Sequence, residues 1–155
     1  MDVSRPVRTV DAGLRLAVAL ELLRVRGMLG LRGLNGFLEA QAYERTTVPV
    51  RALSDPSAAS AEAMALGRLV QETARVLPGT RRCLVQAVAT ALLLRRRGHE
   101  HAVLVGARAR DRELLAHAWV TSRGAVVVGE GELTALPVLV AFRPRRSDSG
   151  GRPST

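Results

Sequence analysis

Apolar residues recur at helical spacing through the first part of the chain and alternate with polar residues later on. A first helix is predicted from Asp11, which can act as its N-cap, to about Arg26, with an apolar stripe interrupted by Glu21. Glycines then follow at short intervals. We therefore predict a turn or short helix over residues 28–34 and another helical piece over residues 35–45.

A connector and a further helix come next. Residues 46–56 contain two prolines and no sustained periodicity, which is typical of a connector. Either Ser57 or Ser60 can cap the helix that follows, because a serine oxygen accepts an N–H group of the first turn. This helix is predicted to continue through Val76.

The segment from Pro78 to Gly98 is the most uniformly apolar helix of the chain. Thr80 is predicted as its N-cap, which would place Cys83 at about the third position of the first turn. Residues 84–94 are apolar almost all the way round, so this helix is expected at the centre of the fold. Gly98 can adopt the left-handed conformation that ends it.

After Gly98 the apolar period changes from helical to alternating, which predicts strands. The predicted strands cover residues 102–107, 114–121, 125–128 and 138–142. Helices followed by antiparallel strands favour an α+β fold over an alternating α/β fold. We divide the chain into an N-terminal helical region (1–56), a core (57–142) and a polar, disordered tail (143–155).

Composition narrows the class of protein. Hydrophobic residues make up 47% of the chain, enough for a packed core. The net charge of +9 comes from arginine alone, since the chain has no lysine, and aromatic residues are only 3%. Without aromatic stacking platforms we do not predict a nucleic-acid partner, whereas an acidic protein or peptide is compatible with the charge.

The chain is expected in the cytoplasm. One cysteine excludes an internal disulfide and a cysteine-based zinc site, and it fits a reducing compartment. Charged residues interrupt the apolar run over 14–34, so neither a signal peptide nor a membrane span is predicted. A helix that packs on the core is expected there, in preference to one lying on a membrane surface.

Cys83 is the first candidate for chemistry. Both a helix N-terminus and the preceding pair Arg81-Arg82 favour the thiolate form. The competing interpretation is a small buried core residue. A nucleophilic cysteine also requires a base, and the base requires an orienting group.

His117 is the best candidate for that base. It lies in an alternating strand pattern, on the same predicted face as Trp119. The competing interpretation is a histidine that only packs or hydrogen-bonds. His99 and His101 follow Gly98 in a polar turn and are expected to be exposed to solvent.

An orienting carboxylate is expected from the strand that follows His117. Glu130 comes directly after that strand, and Glu132 is the reserve candidate. Either could equally be an exposed acid in a turn. No phosphate-binding glycine loop with a lysine is present, and the three histidines lack a metal-site spacing, so we expect neither a cofactor nor a metal.

Three stretches, in order and at these distances, carry a family resemblance: Thr80-Arg81-Arg82-Cys83-Leu84-Val85-Gln86, Leu92-Leu93-Leu94-Arg95-Arg96-Arg97-Gly98 and Ala116-His117-Ala118-Trp119-Val120. Together they resemble the transglutaminase-like, papain-like cysteine peptidase that matures lasso peptides, as the peptidase half of the split maturation protein. The resemblance covers residues 77–142. The N-terminal helical part matches only in size and character.

The resemblance implies a central helix packed on an antiparallel sheet and a set of catalytic roles. Cys83 would be the nucleophile and His117 the general base and acid. The family usually has an aspartate as third member, where this chain offers Glu130, and an acid where this chain has Thr121. The implied reaction is hydrolysis of the amide between the leader and the core peptide, with the Cys83 backbone N–H among the oxyanion donors.

The resemblance also implies partners. These are the leader region of the precursor peptide, a small leader-binding recognition protein and, as a further candidate, the ATP-dependent lasso cyclase. The N-terminal helices are the expected docking surface for the recognition protein. Two other functions stay open: acyl or amine transfer on the same Cys-His-acid frame, and a non-enzymatic scaffold in which Cys83 is a core residue.

Overall fold

The computed structural model describes residues 11–46, 59–130 and 136–146. In chain order its elements are α1 (Ala12–Ala40), β1 (Tyr43–Thr46), α2 (Ala61–Val76), α3 (Cys83–Arg96), β2 (Ala102–Arg110), β3 (Glu113–Ser122), β4 (Ala125–Val128) and β5 (Val138–Pro144). The predicted α+β class is confirmed. Most of the predicted connector, and the tail from residue 147, lie outside the described residues.

The first helix is longer than predicted. Asp11 caps it as expected, because its carboxylate accepts the Gly13 backbone N–H at 3.1 Å. The first piece of α1 ends before Gly33, whose angles (φ 67°, ψ 174°) are non-helical, and a second helical piece continues to Ala40. The predicted end near Arg26 was therefore wrong, since Gly27 and Gly30 lie inside the helix, whereas the predicted helical piece after residue 34 is confirmed as far as Ala40.

The second half of the predicted 35–45 helical piece was also wrong. Tyr43–Thr46 forms β1, which pairs antiparallel with β5 in a register that places Tyr43 opposite Pro144. The partner strand lies about 100 residues further along the chain, so local periodicity could not reveal the pairing. Tyr43 is fully buried by it.

The five strands form one antiparallel sheet in the order β1-β5-β2-β3-β4. The hairpin at Arg123-Gly124 and the bounds of β4 agree with the prediction, whereas β2 and β5 run past their predicted ends. β5 pairs with β2, so the last strand crosses back to the middle of the sheet. The sheet is thus a β2-β3-β4 meander extended by two strands on one side.

The helices cover one face of this sheet. α3 packs on β2, β3 and β4, α2 packs on β4, and α1 packs on α2 and α3. Ala118 and Val120 of β3 join the helices in the main hydrophobic core. Trp119 belongs to a second, smaller cluster with Leu104 and Ala141, because successive side chains of a strand point to opposite faces.

Glu21 explains the interruption of the apolar stripe in α1. It is buried, and its carboxylate forms salt bridges with Arg24 at 2.8 Å and with Arg96 at 2.9 Å. Arg96 is the last residue of α3. The one acid on the buried side of α1 therefore ties this helix to the C-terminal end of α3.

The end of α3 follows the prediction. Gly98 has φ 73°, its N–H donates to the Arg95 carbonyl, and the His99 N–H donates to the Leu94 carbonyl. This pair of bonds is a Schellman motif.

Among the described residues, no helix is long and apolar enough to span a bilayer.

Gly67 allows α2 to contact β4 through backbone atoms. A Cβ at this position would lie 2.2 Å from the Val127 carbonyl oxygen, which cannot move without shifting the strand. We expect Gly67→Ala to lower the free energy of unfolding by about 2 kcal/mol, as overpacked core substitutions do. Urea denaturation measures the effect.

Gly27→Ala is the matched control for this substitution. Gly27 lies inside α1, and a Cβ added there would meet no atom within 4 Å. The same change should raise the free energy of unfolding there by about 1 kcal/mol, because alanine is the better helix former. Equal effects at the two positions would contradict close packing at Gly67.

Candidate active site

The loop before α3 is held by its own side chains. Thr80 is fully buried, and its hydroxyl lies 3.1 Å from the Ala74 carbonyl oxygen and 2.9 Å from that of Leu77. It therefore satisfies carbonyls at the end of α2 and does not cap α3. The prediction of Thr80 as the N-cap of α3 was wrong; Arg82 occupies that position and makes no side-chain capping hydrogen bond.

Three longer side chains brace the same loop. Arg81 donates to the Arg75 carbonyl at 2.8 Å, and Gln86 donates back to the Arg81 carbonyl at 3.0 Å. Arg26 of α1 donates to the Pro78 carbonyl at 3.0 Å. Elements on both sides of the loop thus determine where α3 begins.

Cys83 is the first residue of α3, two positions closer to the helix start than predicted. Its side chain is half-buried against the main core, and its thiol is free of any disulfide. Because Arg82 provides no side-chain cap, the backbone N–H groups of the first turn are available to an external acceptor. The cysteine therefore sits at an uncapped helix N-terminus, where the helix dipole favours negative charge.

His117 is oriented by a backbone carbonyl. Its Nε2 lies 2.8 Å from the Gly129 carbonyl oxygen, and its ring stacks on Trp119 with centroids 5.9 Å apart. Since a carbonyl only accepts, Nε2 must carry the proton and donate it. In the neutral imidazole, Nδ1 is then the basic nitrogen.

Gly129 lies so close to β3 that there is no space for a Cβ atom at this position. Its φ is 88°, and a Cβ there would lie 2.9 Å from the Ala118 carbonyl oxygen and 2.8 Å from Trp119 Cβ. The chain can therefore pass close to β3 and present its carbonyl to His117. Sequence reasoning missed this contact, because a backbone carbonyl has no residue type of its own.

Glu130 follows Gly129 directly, and its side chain is exposed. Within the described residues the His117 ring bonds the Gly129 carbonyl, not the Glu130 carboxylate. Glu132, the reserve candidate, lies outside the described residues. Glu130 therefore follows the residue that orients His117, but its carboxylate does not make the orienting hydrogen bond.

Cys83 and His117 lie at similar distances from the C-terminal ends of α3 and β3. The Ser122 end of β3 lies beside the C-terminal end of α3, since the Ser122 hydroxyl donates to the Glu100 carbonyl at 2.6 Å. From there, α3 extends about 20 Å back to Cys83. β3 extends about 17 Å back to His117.

The two side chains nevertheless leave their elements on different sides of β3. Cys83 packs with the helix-side core that contains Ala118, whereas His117 stacks on Trp119 on the other face. No hydrogen bond joins the thiol to the imidazole among the described residues. The structure therefore brings the two elements together but not the two reacting atoms.

In the described ladder the N-terminal part of β3 has an open edge, since β4 pairs only with the C-terminal part. β4 ends at Val128, opposite Val120, so residues 113–119 of β3 have no β4 residue beside them in the described ladder. Gly129 and Glu130 lie in the gap that results. The chain leaving β4 at Gly129 therefore lies beside the part of β3 that carries His117.

The two competing histidines are engaged elsewhere. His99 lies 3.1 Å from a Glu62 carboxylate oxygen, and Arg97 lies 2.8 Å from the other. The Arg97 hydrogen bond, followed by that of His99, holds the pKa of Glu62 below its usual value. His99 is half-buried and helps to tie the end of α3 to the start of α2.

His101 is buried, so its predicted exposure was wrong. Its Nδ1 lies 2.8 Å from the His99 carbonyl oxygen, and its Nε2 lies 2.7 Å from the Tyr43 hydroxyl. Nδ1 must donate to the carbonyl, so Nε2 accepts from the hydroxyl of Tyr43, whose pKa burial raises. Burial lowers the pKa of His101, and the hydrogen bond to the His99 carbonyl opposes part of this shift. Both ring nitrogens are therefore occupied in a neutral histidine.

Comparison with known proteins gives one match. The sequence model of the transglutaminase-like superfamily matches residues 17–141, from the first turns of α1 into β5. The matched segment contains Cys83, His117 and Glu130. No curated protein and no solved structure matches the chain.

The buried His101 predicts a loss of stability in mild acid. Its pKa is depressed in the folded chain and ordinary, about 6.5, in the unfolded chain. Above that value both states are neutral; below it the unfolded state binds a proton that the folded state resists, so the free energy of unfolding falls. Urea denaturation between about pH 7 and about pH 5 measures this slope.

His101→Gln should make the slope shallower, because the titrating group is gone. His117→Gln is the matched control, and it should leave the His101 contribution intact. Identical slopes for the parent chain and His101→Gln would show that this histidine does not carry the pH dependence.

Proposed function

Because the chain belongs to the transglutaminase-like superfamily, we propose that it is a cytoplasmic cysteine peptidase that removes the leader from a ribosomally made lasso precursor peptide. The superfamily includes cysteine proteases and transferases. The observation that carries the proposal is the position of Cys83. The only cysteine of the chain opens a buried, uncapped helix inside the matched segment.

In the proposed reaction the Cys83 thiolate attacks the carbonyl carbon at the leader–core junction. His117 Nδ1 receives the thiol proton and passes it to the amine of the leaving peptide, which departs as the C–N bond breaks. Water then attacks the thioester, releases the leader carboxylate and restores the thiol. Gly129 supports this role, because its carbonyl holds the proton on Nε2 and leaves Nδ1 as the base.

The oxyanion of the tetrahedral intermediate would be stabilised at the start of α3. The backbone N–H of Cys83 is one donor, and the uncapped first turn supports this assignment. Gln86 is not free to be the second donor, since its amide is bound to the Arg81 carbonyl. Its contribution is to brace the loop before the nucleophile.

The proposal requires His117 to approach the thiol around the open edge of β3. That approach would break or lengthen the hydrogen bond from His117 Nε2 to the Gly129 carbonyl. Substrate binding would drive this movement of the ring. Catalytic hydrogen bonds are often unformed before substrate binds. Glu130 is proposed as the third member of the triad, since it borders this edge and can accept from Nε2 once the ring has moved.

Incubation of the chain, its leader-binding partner and the precursor peptide, with a mass readout, tests the assignment. We expect two fragments whose masses sum to that of the precursor plus one water. Cys83→Ala should abolish cleavage, and His117→Ala should slow it by about 10²- to 10⁴-fold. A fragment that instead carries an added amine would identify acyl transfer on the same residues.

Glu130 has a matched control in Glu113, an exposed acid at the start of β3. Glu130→Gln should slow cleavage by about tenfold or more, whereas Glu113→Gln should not. Iodoacetamide gives a second readout, because any cysteine label must lie on Cys83. A thiol that is inert, and cleavage that survives Cys83→Ala, would together favour the scaffold function.

We also propose that the leader-binding protein docks on α1. The buried side of α1 carries Val18, Leu22 and Val25, while Leu16, Leu20 and Leu23 are 61%, 59% and 42% exposed. Spacings of four and three residues place these leucines on one stripe of the helix. The stripe has no partner among the described residues, and a protein that presents the leader to Cys83 would cover it.

Leu16→Ser combined with Leu20→Ser should weaken capture of the leader-binding protein by about tenfold or more, because it removes two exposed apolar contacts. Leu114→Ser and Leu139→Ser form the matched control, since both leucines are as exposed but lie on strands. Pull-down with quantified bound protein measures the difference. Equal capture by both double variants would reject this docking surface.

A further inference from the structure

A basic cavity lies at the end of the sheet far from Cys83. Its volume is about 530 Å³, within the range of ligand pockets. Four arginines contribute to its lining: Arg123, Arg143, Arg145 and Arg146. Neither Cys83 nor His117 lines the cavity.

The antiparallel topology brings these arginines together from separate parts of the chain. Arg123 lies in the β3–β4 turn, Arg143 lies in β5, and Arg145 and Arg146 follow it directly. Backbone contacts fix the framework: the Arg145 N–H donates to the Ala42 carbonyl at 2.8 Å, and Ser122 bonds the Glu100 carbonyl. The guanidinium groups are therefore mounted on ordered strand ends.

The charge of the cavity is unbalanced. Glu100 is the one acid in the lining, so four arginines and one glutamate leave a formal charge of +3. Glu44 stands opposite Arg143 across the β1–β5 ladder without forming a salt bridge. The salt bridges of the described residues use other arginines, at positions 24, 96, 97 and 110.

His101 closes the cavity without adding charge. It lines the cavity, it is buried, and both of its ring nitrogens are already bonded. The four arginines that line the cavity carry like charge, and a bound anion would offset their mutual repulsion. The cavity is therefore lined by exposed arginines and by a buried, neutral histidine whose two ring nitrogens are hydrogen-bonded.

We propose that this cavity binds an acidic peptide segment through its carboxylate side chains. Guanidinium groups bind carboxylates with two parallel hydrogen bonds, which suits a cluster of arginines. Glu100 favours a peptide over a nucleic acid, because peptide N–H groups can donate to its carboxylate whereas a phosphate backbone would only be repelled. No aromatic residue lines the cavity to stack on bases. The inference does not depend on the peptidase assignment.

Fluorescence anisotropy with a short labelled peptide of alternating glutamate and glycine tests the proposal on the full chain. Arg143→Gln combined with Arg145→Gln should weaken binding by about tenfold, since two charge-assisted contacts are lost. Arg108→Gln combined with Arg112→Gln removes the same charge at exposed positions near the β2–β3 turn. That control should change the dissociation constant by no more than about twofold.

Three results would overturn the proposal. Equal weakening by the two double variants would indicate attraction by net charge only. Tighter binding of an oligothymidylate than of the peptide would identify a nucleic-acid surface. Absence of peptide binding at low salt would show that the cavity does not bind acidic peptides. The substituted arginines are exposed, so thermal unfolding should be unchanged, and Arg123→Gln alone provides a second variant if it is not.

Discussion

The packing of α3 along β3 is the contact on which the rest of the structure depends. α3 is buried on nearly all sides, and contacts at its two ends add to the packing that positions it. A Schellman motif and the Glu21–Arg96 salt bridge fix the C-terminal end. The loop held by Thr80 and Arg26 fixes the other end. The first residue of this helix, Cys83, is therefore held both by the core and by the braced loop that precedes it.

The two ends of the sheet have different chemistry. Towards one end, the His117 ring bonds the Gly129 carbonyl on one face of β3, while Cys83 packs with the core on the other face. At the other, arginines from two segments of the chain line a cavity together with a buried neutral histidine. Antiparallel pairing produces both arrangements, because each strand contributes its start to one end and its finish to the other. The same topology thus places His117 and the arginine-lined cavity at different positions along the sheet.

Sequence reasoning succeeded where structure is local. Ser57 and Ser60 were both candidates for the cap of α2, and the Ser60 hydroxyl accepts the Ala63 N–H at 3.1 Å. This cap, the Gly98 stop and the bounds of β4 depend on residues within a few positions of each other. It failed where the deciding partner is distant. β1 exists because β5 pairs with it, and His101 is buried because Tyr43, 58 residues earlier, covers its ring. Cys83 and His117 could be chosen by residue type, but the Gly129 carbonyl could not.

The contact between Arg26 and the Pro78 carbonyl has a consequence for regulation. Arg26 belongs to α1, whereas the carbonyl lies five residues before Cys83, so a hydrogen bond joins two regions that are 52 residues apart in the sequence. A ligand that binds α1 more tightly when Arg26 is displaced would loosen the Cys83 loop, and one that prefers it in place would rigidify that loop. By thermodynamic reciprocity, a substrate that orders the loop would change the affinity of α1 for its partner by the same factor.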